Sequence, residues 1–156
     1  MLLNIRSCRK NFLEFSTLFC TYFSRFSCIA LVETWLSDGY DDLFLINGFK
    51  SVNVYRNNYG GGIRLFCRFD LNMKILSDFT FVSNSLEMLT VELSFANKNI
   101  VLCVNYHAPS ADHVDNYRFI EQNFCILSRL KALGKPMMVA GDFNLDLLNY
   151  RKYHYI

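Results

Sequence analysis

Near its C-terminal end the chain reads Pro136-Met-Met-Val-Ala-Gly-Asp-Phe-Asn144, a carboxylate and a carboxamide two residues apart behind a short apolar run. Met137 to Ala140 reads as a buried strand, and Gly141 as a tight turn that lets Asp142 and Asn144 emerge at the strand's carboxyl end. Open α/β sheets place ligands at such ends. A carboxylate there accepts protons or binds a hard cation, and a carboxamide donates to a phosphate oxygen, so the pair points to metal-assisted phosphoester chemistry. The same residues also suit an ordinary Asx turn. Three more polar residues stand at predicted strand ends: Asn4, Glu33 and Tyr106. Glu33 is the most informative, because a carboxylate placed directly after a strand buried on both faces must be solvated, paired or bound to a cation.

The elements that position these residues can be taken in order. Met1 to Ile5 suits a brief strand. From Lys10, aromatics at Phe12, Phe15, Phe19, Tyr22, Phe23 and Phe26 recur at spacings of three and four, which predicts a core helix. Ser27 to Val32 is a continuous apolar run of the kind found in strands buried on both faces, and it ends at Glu33. Asn47-Gly48 between Phe44–Ile46 and Phe49–Tyr55 predicts a hairpin. Gly60-Gly-Gly62, after Arg56-Asn-Asn-Tyr59, reads as a turn or a close backbone approach before a strand at Ile63 to Phe69. Leu86–Phe95 and Ile100–Tyr106 alternate around Ala96-Asn-Lys-Asn99 as a second hairpin. A helix from Asp115 to Gly134, with Ile120, Phe124, Leu127, Leu130 and Leu133 on its apolar face, precedes the strand launched by Pro136. The order predicts an α/β layered sandwich, with mixed and antiparallel sheets flanked by helices.

Composition bounds the rest. The 156 residues, 52% hydrophobic with 15 Phe and 9 Tyr, suffice for one packed domain. A net charge of +2 neither identifies nor opposes a nucleic-acid partner. Six cysteines stand singly, and three histidines show no zinc-like spacing against them, so buried reduced thiols are expected. The N-terminus has no clean signal-peptide core, and no apolar run approaches the about 18 residues of a membrane span. A soluble, intracellular protein is expected, with no membrane partner and no defined protein partner.

Asn4-Ile-Arg-Ser7, Glu33-Thr-Trp-Leu36, Arg56 with Gly60-Gly-Gly-Ile63, Tyr106-His-Ala-Pro-Ser110 and Gly141-Asp-Phe-Asn-Leu-Asp146 occur in that order. In order and spacing they resemble endonuclease/exonuclease/phosphatase domains, above all the endonuclease domain of non-LTR (LINE-type) retrotransposon polyproteins. The resemblance implies the N-terminal part of a four-layer α/β fold over residues 1–149, with 150–156 as a tail. It implies Mg²⁺-dependent phosphodiester hydrolysis on DNA, with Mn²⁺ as the substitute ion. Glu33 and Asn4 match the metal-site residues, Tyr106 the phosphate-contacting tyrosine, Asp142 the water-activating aspartate, and Asn144 the asparagine that stabilises the transition state.

Two departures accompany the resemblance. The family usually carries Arg after this tyrosine, where His107 stands, and an Arg-to-His change removes a bidentate phosphate donor. The family's second metal-site Asp and closing Asp-His pair have no counterpart after Asn144. His154 follows the motif too soon and reads as a tail residue. The expectation is therefore a C-terminally truncated, catalytically incomplete endonuclease domain. A non-catalytic retrotransposon-derived remnant is the second reading, and a phosphatase or abasic-site nuclease of the same superfamily the third.

Overall fold

A computed structural model describes residues 1–40, 42–56, 60–95, 98–110 and 112–145. The chain opens with β1 (Leu2–Asn4), helix α1 (Cys8–Phe19) and β2 (Cys28–Val32), and continues through β3 (Phe49–Val54) and β4 (Ile63–Arg68). β5 (Asn72–Ile75), β6 (Phe81–Val82), β7 (Glu87–Phe95) and β8 (Lys98–Tyr106) follow, then helix α2 (His113–Lys131) and β9 (Met137–Asp142). Two sheets result. The first has the order β1-β2-β4-β3, and the second β5-β7-β8-β9 with β6 paired to β7.

Each sheet contains one parallel pair joined by a helix, β1-α1-β2 in the first and β8-α2-β9 in the second. Parallel neighbours require such a crossover, and it sends both carboxyl ends of a pair to the same side. The remaining pairings are antiparallel.

Burial divides the core into three layers. Ala30, Val32, Ile63, Leu65, Leu89, Val91, Val104 and Tyr106 pack between the two sheets. Phe12 and Phe15 of α1 lie with Ile29, Leu31 and Phe66 on the outer face of the first sheet, and Phe119 and Leu130 of α2 with Met88, Val101 and Cys103 on that of the second. Strands β2 and β4 are buried on both faces, as the apolar runs predict. Truncating one of these buried Phe rings to Ala costs about 3–5 kcal/mol.

Several expectations are corrected. The first helix begins at Cys8 and stops at Phe19, so Tyr22 lies beyond it and is 48% exposed. Phe44–Ile46 forms no strand: Asn47-Gly48 is a turn, and β3 pairs instead with β4. β5 and β6 are additional short strands. On α2 the fully buried residues are Asn116, Phe119 and Leu130, whereas Phe124 is 74% exposed. β9 lies at the end of its sheet's strand order, with Met138 exposed, so the run Met137–Ala140 is not buried on both faces. The loop residues 57–59, hairpin residues 96–97, Asp146 and the tail 150–156 with His154 lie outside the described residues. No described helix is long and apolar enough to cross a membrane.

Candidate active site

Asn4 is the last residue of β1, Glu33 follows β2, Tyr106 ends β8 and Asp142 ends β9. The two crossover units thus deliver two polar residues each, and the docking of the sheets brings all four together. Asn4 Nδ2 donates to Glu33 Oε1 at 2.8 Å and to Asp142 Oδ2 at 2.9 Å. Tyr106 Oη donates to the same Glu33 Oε1 at 2.9 Å. The Asn4 carboxamide oxygen is turned away and accepts from the Arg6 backbone N–H at 3.2 Å.

The Glu33 loop is held from both sides. Ser7 N–H donates to Glu33 O at 2.8 Å and Cys8 N–H to Thr34 O at 2.9 Å, while Trp35 N–H reaches Gly61 O at 2.9 Å. Glu33 and Trp35 sit at φ 54° and 53°, Arg6 and Ser7 at 47° and 89°, and Asn144 at 47°. Among the described residues, all five non-glycine residues at positive φ are thus Glu33 of the cluster itself or lie within three residues of one of its members. Left-handed backbone at non-glycine residues costs on the order of 1–3 kcal/mol each and persists where surrounding contacts enforce it, commonly at functional sites.

A fifth residue, Glu87 at the start of β7, is missed by the sequence reading. It pairs in register with Tyr106 and is 1% exposed. Gly62 N–H donates to its Oε2 at 2.6 Å, and Arg56 Nη1 lies 3.6 Å from Oε1. A Cβ on Gly61 would run into the Glu87 carboxylate, so the glycine run serves as a close backbone approach. Burial holds the Glu87 carboxyl above its ordinary range, against the pull of the Gly62 N–H and Arg56. Burial likewise raises the Tyr106 phenol, and the hydrogen bond to Glu33 adds to the rise, as do the charges of Glu33, Glu87 and Asp142. The phenol is thus held protonated and donating.

His107 does not face the cluster. Its side chain is fully buried and stacked on Phe119 of α2, with ring centroids 4.3 Å apart. It holds the segment after β9 by three bonds: its N–H donates to Asp142 O at 3.0 Å, Nδ1 lies 3.0 Å from Phe143 O, and its own carbonyl accepts from Asn144 Nδ2 at 2.7 Å. The place of a phosphate-facing Arg is therefore taken by a residue that shapes the backbone. Asn144 is brought beside His107, with one amide N–H committed to it. Gly141 lies within β9, where a Cβ would collide with Asn105 O of β8; its function is close strand packing, and the tight turn expected there does not form.

No protein-family model matches this sequence, and no curated protein does either. Solved structures do. The endonuclease/exonuclease/phosphatase from Bacteroides vulgatus superposes with a TM-score of 0.67 at 14% identity, over 99% of this chain and 68% of that one. D. rerio TDP2 complexed with single strand DNA product gives 0.65 at 15% identity, over 98% and 63%. The endonuclease domain of TRAS1, a telomere-specific non-LTR retrotransposon, gives 0.65 at 13% identity, over 94% and 59%. The chain has the endonuclease/exonuclease/phosphatase fold.

Within that fold this chain spans about two thirds of the length of the solved structures it matches. Among the described residues no group of three or more His, Cys, Asp or Glu gathers to hold a metal. The donor set nevertheless suits one hard divalent cation. The two side-chain hydrogen bonds that Asn4 and Tyr106 donate to the Glu33 carboxylate both fall on Oε1. Glu33, Glu87 and Asp142 all act on Tyr106, and Arg56 lies 3.6 Å from Glu87. One or two carboxylates are what Mg²⁺ uses in sites it completes with water and phosphate oxygens.

Proposed function

We propose that Asn4, Glu33, Tyr106 and Asp142 form a divalent-cation-dependent phosphodiesterase site that acts on DNA, in an endonuclease domain of the non-LTR retrotransposon kind. The observation that carries this reading is the single Asn4 nitrogen bonded to two carboxylates from different sheets. It holds Glu33 and Asp142 beside each other.

The roles proposed are those that the family resemblance implies, and the clustering of the four side chains supports them. Glu33 would hold Mg²⁺, or Mn²⁺ in its place, and Asn4 would complete the metal site by fixing the Glu33 and Asp142 carboxylates. When bound there, such an ion would supply the positive charge that phosphoryl transfer needs. Tyr106, held protonated, would turn its single O–H from Glu33 to a phosphate oxygen when substrate binds. Asp142 takes its Asn4 bond on Oδ2 and presents Oδ1 to orient an attacking water and accept its proton. Asn144 keeps a second amide N–H for the transition-state oxygen, because a carboxamide nitrogen carries two donors. DNA as substrate rests on the Glu33-Thr-Trp-Leu36 and Asp142-Phe-Asn-Leu-Asp146 motifs and on similarity to the TRAS1 endonuclease and DNA-complexed TDP2 folds.

A second reading is a retrotransposon-derived domain that binds metal or nucleic acid without cleaving. It is favoured by the burial of His107: among the described residues no imidazole hydrogen-bonds to the cluster. Nicking of supercoiled plasmid decides between the two. Mg²⁺-dependent nicking that disappears in Asp142→Asn and Glu33→Gln supports the enzyme. Nicking no greater than that of the double variant overturns it. Quenching of Trp35, the single tryptophan and two residues from Glu33, by Mn²⁺ then tests the binding reading by itself.

A further inference from the structure

At the end of β2 remote from Glu33, the first sheet carries a second pair of reactive groups. Cys28 and Cys67 are direct partners across antiparallel β2 and β4, with their sulfurs 3.2 Å apart. The neighbouring pair, Ser27 and Arg68, is joined by a backbone bond from Arg68 N–H to Ser27 O at 3.1 Å. Hydrogen-bonded and non-hydrogen-bonded pairs alternate along such a ladder, so Cys28 and Cys67 occupy a non-hydrogen-bonded position, where Cα atoms approach to about 4.5 Å. That spacing lies within the range a disulfide spans. Cys67 is buried in the layer between the sheets, whereas Cys28 at the strand's first position is only half-buried and reachable from solvent.

We propose that Cys28 and Cys67 are a redox-active dithiol that a hydroperoxide closes into a disulfide across β2 and β4. The Cys28 thiolate attacks the peroxide's terminal oxygen; the O–O bond breaks, the remaining oxygen leaves as an alcohol or water after taking a proton, and Cys28 becomes a sulfenic acid. The Cys67 sulfur then attacks the Cys28 sulfur, forming the S–S bond and releasing water with the Cys67 proton. The two thiols lose two electrons, which the peroxide gains. A hydrogen bond in which either thiol can donate joins the pair, and the greater exposure of Cys28 assigns it as the attacking sulfur and the buried Cys67 as the resolving one.

The other cysteines do not share this arrangement. Cys8 is buried with its thiol pushed up to about 12, Cys103 is engaged by Thr90 and Asn105, and Cys20 and Cys125 are exposed singly. The bridge would lie five residues from Glu33, about 16 Å along an extended strand. It would staple the sheet without reshaping the cluster.

The test is thiol mapping on the full chain. The reduced protein is treated with hydrogen peroxide, quenched with N-ethylmaleimide, digested and analysed by mass spectrometry. The expected result is a Cys28–Cys67 linked peptide pair within one chain, reversed by dithiothreitol. Because the bridged residues are 39 apart in sequence, oxidation should also raise Tm by roughly ten degrees, an effect absent in Cys28→Ser. Full alkylation of both residues after peroxide, a linkage through any other cysteine, or one formed only between chains overturns the proposal. The mapping uses the unsubstituted protein, so it does not depend on a variant folding.

Discussion

Asn4 and Asp142, 138 residues apart in sequence, are joined by a 2.9 Å hydrogen bond from the carboxamide nitrogen of one to the carboxylate of the other. The same nitrogen serves Glu33, so Asn4 acts as a neutral clamp between two like charges. Asn4→Ala is expected to lower stability by about 1.5–3 kcal/mol, as for hydrogen bonds to charged groups. Asn4→Asp should cost more without metal, because it adds a third carboxylate to the pair. Saturating Mg²⁺ should recover much of the Asp variant's loss and little of the Ala variant's. Urea unfolding of both variants with EDTA and with Mg²⁺ measures this. Equal losses for the two variants in EDTA would mean that the amide is not acting as the clamp.

Glu87 predicts a pH dependence with a definite sign. Its folded carboxyl is held above the ordinary value of 4.5, first by burial. As pH rises past 4.5 the unfolded chain loses this proton before the folded one does, and stability falls until the folded carboxyl also ionises. The contribution is therefore complete below the unfolded value and lost on the way up. Glu87→Gln keeps an acceptor for Gly62 N–H and removes the titration. Its stability relative to the unsubstituted chain should climb as pH rises through and above 4.5, as read from urea midpoints at several pH values. A constant difference across that window would remove the buried carboxylate from the account.

His107 predicts a split between two substitutions. His107→Phe retains a ring to stack on Phe119 and leaves the half-buried Phe143 carbonyl without its Nδ1 partner, at a cost of about 1 kcal/mol. His107→Asn loses the stack but places an amide donor near the Nδ1 position. In amide hydrogen exchange, Phe143 and Asn144 should lose protection in the Phe variant and keep more of it in the Asn variant. The reverse order would show that stacking alone holds the segment.

Gly141 predicts the effect of crowding. Its missing Cβ is what allows Asn105 O to approach. Gly141→Ala should force β9 from β8, costing roughly 1–3 kcal/mol as overpacking does, and should carry Asp142 away from Asn4. Weakened Mn²⁺ quenching of Trp35, with stability only modestly lower, is the expected readout.

Legibility in the sequence followed the strength of local pattern. The runs that became β2, β4, β7 and β8 are long, apolar or alternating, and bounded by turn residues. β5 and β6 escaped because Asn72–Ile75 and Phe81–Val82 are too short to show a period. Phe44–Ile46 has the apolar content of a strand yet lies against the α1 layer as an irregular segment, and composition does not distinguish the two. Glu87 passed unnoticed because one acid in an alternating strand reads as solvent-facing; its burial depends on the Gly61–Gly62 backbone that arrives from another sheet. His107 could have been placed correctly. Tyr106 faces the layer between the sheets, so period-two alternation sends residue 107 to the α2 side.

The bonds that assemble the cluster span 29, 73 and 138 residues, with one crossover unit at each end of the order. Loop closure on this scale is slow, and contacts so distant in sequence form late. During synthesis Asn4 and Glu33 emerge long before Asp142, and their two strands can pair while the other half of the cluster is still untranslated. Ion affinity should therefore lag behind secondary structure in refolding. The cation-binding signal would then serve as a clock for the moment at which the two sheets dock.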